Sequence, residues 1–203
     1  FDSQLLGESI LPTLRFAHQH LLLPDVTLIP KAVSVKAMLV ETRCLAAANL
    51  PELRGAAWPL MIAELAPELV RPLSRVWEAA TIDFARLPPV ESTQTTLTQV
   101  LVTDAGTAHG VAWWWDLDMG GTVLSSWSPS TASNEDLPAR HHWRPCISFL
   151  QPREVRSGTT VSVVAAHDDD AVWFAWQEPS VRVPPRWIDG VTGVPPERER
   201  LLV

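Results

Sequence analysis

Residues 139–146 read ARHHWRPC. They place His141, His142 and Trp143 between a loop rich in Pro, Ser and Asn (SPSTASNEDLP) and an apolar run, CISFL. An imidazole can bind a metal or move a proton near neutral pH. An indole can wall a pocket or fill a core. The stretch is therefore compatible with core packing, with half a metal centre or with a catalytic wall. A second group with chemical potential is HDDD at 167–170, and a third is Glu8, in a Gly-Glu-Ser turn just before a helical pattern.

A metal centre needs several convergent ligands. His18 and His20, two residues apart, point to different sides of a helix. His141 and His142 are adjacent, so on a strand they face opposite ways. HDDD lies between two strand-like runs and reads as a solvated turn; His109 and His167 add no ligand spacing. No metal is expected. Cys44 and Cys146 allow one disulfide but show no Cys-x-x-Cys spacing. Cys146 heads an apolar strand and reads as a buried, inert thiol. There is no G-x-S-x-G elbow and no phosphate-cradling Gly-rich loop.

Trp113, Trp114 and Trp115 follow one another in an alternating run. A strand there carries indoles on both faces, so either both faces are covered or one meets a partner such as a base or sugar. Glu8, on pattern alone, reads as a charge complementing a helix N-terminus.

Elements must position these groups. Residues 9–23 carry a helical stripe of Ile10, Leu14, Ala17 and Leu21, with Ser9 as cap and Arg15 and Gln19 off the stripe. Residues 32–41 alternate, with Val33, Val35, Ala37 and Leu39 on one face. Helical pieces are expected at 59–66 and 67–77. Strands are expected near 79–85, 93–103, 108–119, 122–127, 145–150, 159–166 and 171–177, with a hairpin at Gly120-Gly121. Many strands without intervening helices predict an antiparallel barrel or sandwich. Residues 178–203, rich in Pro, Arg and Glu, read as a linker or tail.

Hydrophobic residues make up 46% of the 203, enough for a sizeable core. The net charge of −7 argues against non-specific nucleic-acid binding and suits a basic partner. No apolar run reaches the length of a membrane span and no signal peptide is visible, which predicts an intracellular soluble protein. The first residue is Phe, and FDSQLLGES reads like the interior of a longer protein.

Several stretches occur in a telling order: FDSQLLGES, LLLPDVTLIPKAVSVKAMLVE, GVAWWWDLDM, HHWRPCISFL and AAHDDDAVWFAWQ. Together they resemble the protein arginine N-methyltransferases. The Trp-rich strand, the HDDD turn and the IDF at 82–84 are most similar to the type III, monomethylating branch.

The resemblance implies a Rossmann-like domain binding S-adenosyl-L-methionine (AdoMet), followed by a β-barrel, with the active site between them. It makes the fold mainly β. Residues 1–31 would be the end, a helix and a strand, of a truncated methyltransferase domain. Residues 32–180 would be the barrel, with an arm-like insertion at about 45–77, and 181–203 a tail.

It assigns Glu8 to the second glutamate of the hairpin that grips the substrate guanidinium. His142 and Trp143 take the place of the His and Trp of the barrel loop facing it, while His141 stands where the family has Thr. Ile10 and Thr13 fall where the helix approaches AdoMet, whose main site would lie before Phe1. The implied partners are basic arginine-containing proteins and a second subunit or tandem copy, without direct nucleic acid or membrane. The implied setting is the cytoplasm or nucleus. The rival readings are a non-catalytic barrel that scaffolds or dimerises, and a sugar- or base-binding barrel using the Trp strand.

Overall fold

The computed structural model describes residues 1–42, 57–59, 70–90, 92–127 and 143–177. Among them one helix, α1 (Ile10–His20), precedes ten strands. These are β1 (Ala32–Thr42), β2 (Ala57–Pro59), β3 (Val70–Pro72), β4 (Trp77–Asp83), β5 (Gln94–Leu101), β6 (Gly106–Asp118), β7 (Val123–Ser125), β8 (Cys146–Val155), β9 (Thr160–His167) and β10 (Val172–Trp176).

The strands form a seven-stranded sheet in the order β2-β8-β6-β1-β3. In that sheet β4 also pairs with β1, and β7 with β6. A three-stranded sheet, β10-β9-β5, completes a barrel-like domain. Every pairing is antiparallel.

The alternation of β1 sets the layers. Val33, Val35, Ala37 and Leu39 face the main core with Val100, Val163 and Phe174 of the smaller sheet. Met38 and Val40 face the other way, into a second cluster with Ile147 and Phe149. β6 pairs with β1 from Ala32↔Asp118 to Val40↔Gly110, so its three tryptophans divide the same way. Trp113 and Trp115 enter the main core, and Trp114 the second cluster, edge-on to Trp127 at 4.9 Å. All three are at most 3% exposed, which removes the sugar- or base-stacking reading. The hairpin at Gly120-Gly121 forms with Asp118 opposite Val123. Gly120 adopts φ 81°, where an L side chain is strained.

The structure departs from expectation in four places. Ser9 does not cap α1; it is itself left-handed, with φ 56°, and makes no side-chain cap bond. Leu21 lies beyond the helix and is 68% exposed, because the apolar face that packs is Leu11, helped by Ile10 and Leu14. The helical piece at 67–77 gives way, from Val70 on, to β3 and the start of β4, which complete the pairing of β1 at its two ends. No regular strand lies between α1 and β1 among the described residues; Pro24 and Pro30 interrupt the ladder a strand would need. The helical piece at 59–66 falls outside the described residues beyond Pro59, which ends β2. No described helix is long and apolar enough to cross a membrane.

Gly110 marks a tight crossing in β6. The register with β8 shifts between Ala108 and Gly110, and a Cβ at Gly110 would meet the Ser148 carbonyl oxygen at 2.6 Å. Backbone cannot yield as a flexible side chain does. Gly110→Ala is therefore expected to destabilise the fold by about 1–3 kcal/mol, read as a lower urea midpoint at unchanged slope.

Candidate functional site

The N-terminal segment lies against the start of β8. Trp143 donates from Nε1 to the Phe1 carbonyl at 2.8 Å. The Arg144 amide donates to Ser3 Oγ at 3.1 Å, and Cys146 Sγ donates to the Ser3 carbonyl at 3.2 Å. Trp115 adds a bond from Nε1 to the Asp2 carbonyl at 3.1 Å. Trp143 packs edge-on against Trp115 at 4.9 Å. Leu5 and Leu6 are fully buried in the main core. A segment more than 130 positions away in sequence is thus laced to the exit of the ARHHWRPC stretch, with an indole from the barrel core as the common support.

Glu8 belongs to this segment. Its carboxylate is exposed and accepts from the Phe1 amino group at 3.1 Å. Trp143 thus holds the Phe1 carbonyl oxygen of the segment that carries Glu8. His141 and His142 lie outside the described residues. Ile10 is half-buried against the core, and Thr13, one turn on, is exposed. Its amide donates to the Ser9 carbonyl at 3.1 Å and opens α1.

Beside Glu8 is a second carboxyl. Asp2 has a buried oxygen, Oδ1, without a hydrogen-bond partner. Burial, with the nearby Glu8 charge adding, raises its pKa, while bonds from the Gly7 and Gln4 amides act the other way. Burial also pushes the Cys146 thiol well above its ordinary range, with Asp2 contributing. The thiol is held protonated, as its bond to the Ser3 carbonyl requires, so it is no nucleophile.

Three of the described histidines have structural uses. His18 Nε2 donates to the Phe84 carbonyl at 2.8 Å. His109 Nδ1 accepts from the Thr42 amide at 3.2 Å and must be neutral there; burial lowers its pKa. His167 is buried, its pKa lowered by desolvation, and bonds the Asp168 carbonyl at 3.2 Å. No group of three metal-binding side chains gathers among the described residues.

The HDDD turn is more than solvated. Asp168 Oδ1 accepts the amides of Asp170 and Ala171 at 2.9 and 3.0 Å, closing the turn. Asp169 takes both ends of the Arg15 guanidinium, at 2.6 Å each. That bond raises the Arg15 pKa. Pro12, Phe16 and Val90 face this turn across a cleft of about 590 Å³. Sequence reasoning missed this junction. The available signal was Arg15, a cation off the apolar stripe of a helix, together with an acidic turn needing a partner.

The molecule is an antiparallel barrel entered by a helix whose preceding segment, residues 1–3, is laced to Trp143, Arg144 and Cys146. By sequence the chain is similar to protein arginine N-methyltransferases. It is 29% identical to protein arginine N-methyltransferase 7 of Bos taurus over 89% of its length. It is 30% identical to the Mus musculus protein over 89%, and 26% to that of Danio rerio over 91%. The chain spans about 30% of the length of these relatives. No family model matches it.

In fold it is similar to a chain of the Trypanosoma brucei PRMT1 enzyme-prozyme heterotetrameric complex with AdoHcy. There the TM-score is 0.61 at 14% identity, covering 81% of this chain and 55% of that one.

Proposed function

We propose that this chain is the C-terminal, barrel-bearing part of an arginine N-methyltransferase catalytic module. Residues 1–31 end its AdoMet-binding domain, 32–180 form the barrel with its insertion at about 45–77, and 181–203 form a tail. The carrying observation is the lacing of residues 1–3, in the segment that leads to Glu8, onto Trp143, Arg144 and Cys146.

A guanidinium is planar and stays protonated, and a carboxylate is its bidentate partner. Glu8, exposed on a segment fixed by Leu5 and Leu6, would grip the substrate arginine. With a further carboxylate from upstream it would aim one terminal nitrogen and draw positive charge toward the remote ones. Trp143, already immobilised by Trp115 and Phe1, would wall the pocket and limit the space around the arginine, which suits monomethylation. His142 would sit at the rim and accept the proton released as the nitrogen is methylated.

AdoMet supplies the methyl group. Ile10 and Thr13 offer it one apolar surface and one hydroxyl on the same face of α1, enough to border a nucleoside but not to hold it. The same reading makes basic arginine-rich proteins the substrates, a second subunit or tandem copy the partner, and the cytoplasm or nucleus the setting. The net negative charge supports a cationic substrate.

The test is a radiolabelled methyl-transfer assay of the full-length protein on arginine-rich peptides. Transfer should require arginine, failing when the peptide arginines are replaced by lysine. The 203-residue chain by itself should show no micromolar AdoMet binding by calorimetry. Absence of transfer by the full-length protein would favour the scaffolding barrel.

A further inference from the structure

We propose that Arg15 and Asp169 form a positioning clamp that fixes the entry of α1, and with it Glu8, against the barrel. This rests on the functional reading above for its consequence, but not for its geometry.

The backbone around Glu8 is unusual. Leu5 at φ 73° and Ser9 at φ 56° are non-glycine residues in the left-handed region, and they bracket Glu8. Such conformations persist only where the surroundings over-determine them. Upstream the determinant is plain, since Leu5 and Leu6 are fully buried. Downstream the packing is lighter, through Leu11 with Ile10 and Leu14. Leu11 is the one buried residue of α1, Phe16 is 57% exposed, and no side chain caps the helix.

Polar contacts take over there. The Arg15 fork reaches Asp169 Oδ2 and Oδ1 at 2.6 Å each, and the Pro88 carbonyl from Nε at 3.2 Å and Nη2 at 3.0 Å. One helical residue is thereby bound to two separate barrel segments. The two side chains are only 12% and 15% exposed, so losing either partner strands a largely buried charge. A lysine would keep the charge but not the fork. His18, one turn on, adds its bond to the Phe84 carbonyl. Glu8 thus sits between two anchors, the leucines in the core and the arginine on the β9–β10 turn.

The experiment compares the full-length wild type with Arg15→Lys, Asp169→Asn and the exchanged pair Arg15→Asp with Asp169→Arg. It reads amide hydrogen exchange and methyl-transfer kinetics together. For both single variants, exchange over residues 5–14 should quicken by about tenfold while β1 and β6 stay protected. Their kcat on an arginine-rich peptide should fall by about tenfold to a hundredfold, with AdoMet affinity within about twofold of wild type. The exchanged pair should recover part of both effects. Unchanged exchange over 5–14 in both single variants overturns the clamp. So does unchanged kcat despite quickened exchange, which would make the pair merely structural. A wild type without methyl transfer sinks the functional reading instead, and the exchange comparison still decides whether the clamp exists.

Discussion

Glu8→Gln in the full-length protein is expected to lower kcat for arginine methylation by about a hundredfold or more. The substitution keeps the shape of the side chain and removes its charge. A guanidinium held by a neutral amide loses the bidentate, charge-assisted pairing that sets its angle. It also loses the polarisation that leaves the attacking nitrogen a better nucleophile. AdoMet affinity should be unchanged, because the proposed cofactor contacts on this chain, Ile10 and Thr13, are untouched. Stability should move little, since the carboxylate is solvent-exposed. A loss of turnover with intact cofactor binding and an unchanged melting curve would place Glu8 on the substrate. Unchanged turnover would remove Glu8 from the site and leave the helix-dipole reading of its charge.

The sequence made the barrel legible wherever a strand is half-buried. The alternation of Val33, Val35, Ala37 and Leu39 announced β1 and its inward face, and the glycine pair at 120–121 announced the β6–β7 hairpin. It was misleading where tertiary pairing overrode local preference. The Ala-, Leu- and Pro-rich run toward residue 77 suggests helix, yet β3 and β4 are drawn into strand by the two ends of β1.

The start of α1 was illegible for a related reason. Ser9 is a good cap by type, but it lies in the left-handed region and makes no side-chain cap bond. Of the candidate site, Glu8 and Trp143 were legible only through the family pattern. Nothing in their local spacing says that Trp143 would hold the segment that carries Glu8. Arg15–Asp169 was invisible because pairs 154 positions apart leave no periodic trace.

Trp115→Ala should produce the largest stability loss. Trp115 is fully buried, so truncation removes its transfer energy and leaves a cavity, together costing about 3–5 kcal/mol. It is also the indole on which the site segment rests. Its ring lies 5.9 Å from Phe1 and 4.9 Å from Trp143, and its Nε1 holds the Asp2 carbonyl. The loss should therefore be felt as loosened residues 1–8 as well as a lower urea midpoint.

Trp114→Ala is the control. That indole lies on the opposite face of the same strand, in the second cluster, and is 3% exposed. Its removal should cost a comparable amount while leaving amide protection over 1–8 unchanged relative to the remaining barrel. Should Trp115→Ala fail to fold, Trp115→Phe keeps an aromatic ring and loses the bond to Asp2, for about 1 kcal/mol. Exchange at 1–8 should still quicken in that variant. If both tryptophans loosened the segment equally, Trp115 would be only a generic core residue, and the support of Glu8 would have to come from Leu5, Leu6 and the Arg15 clamp.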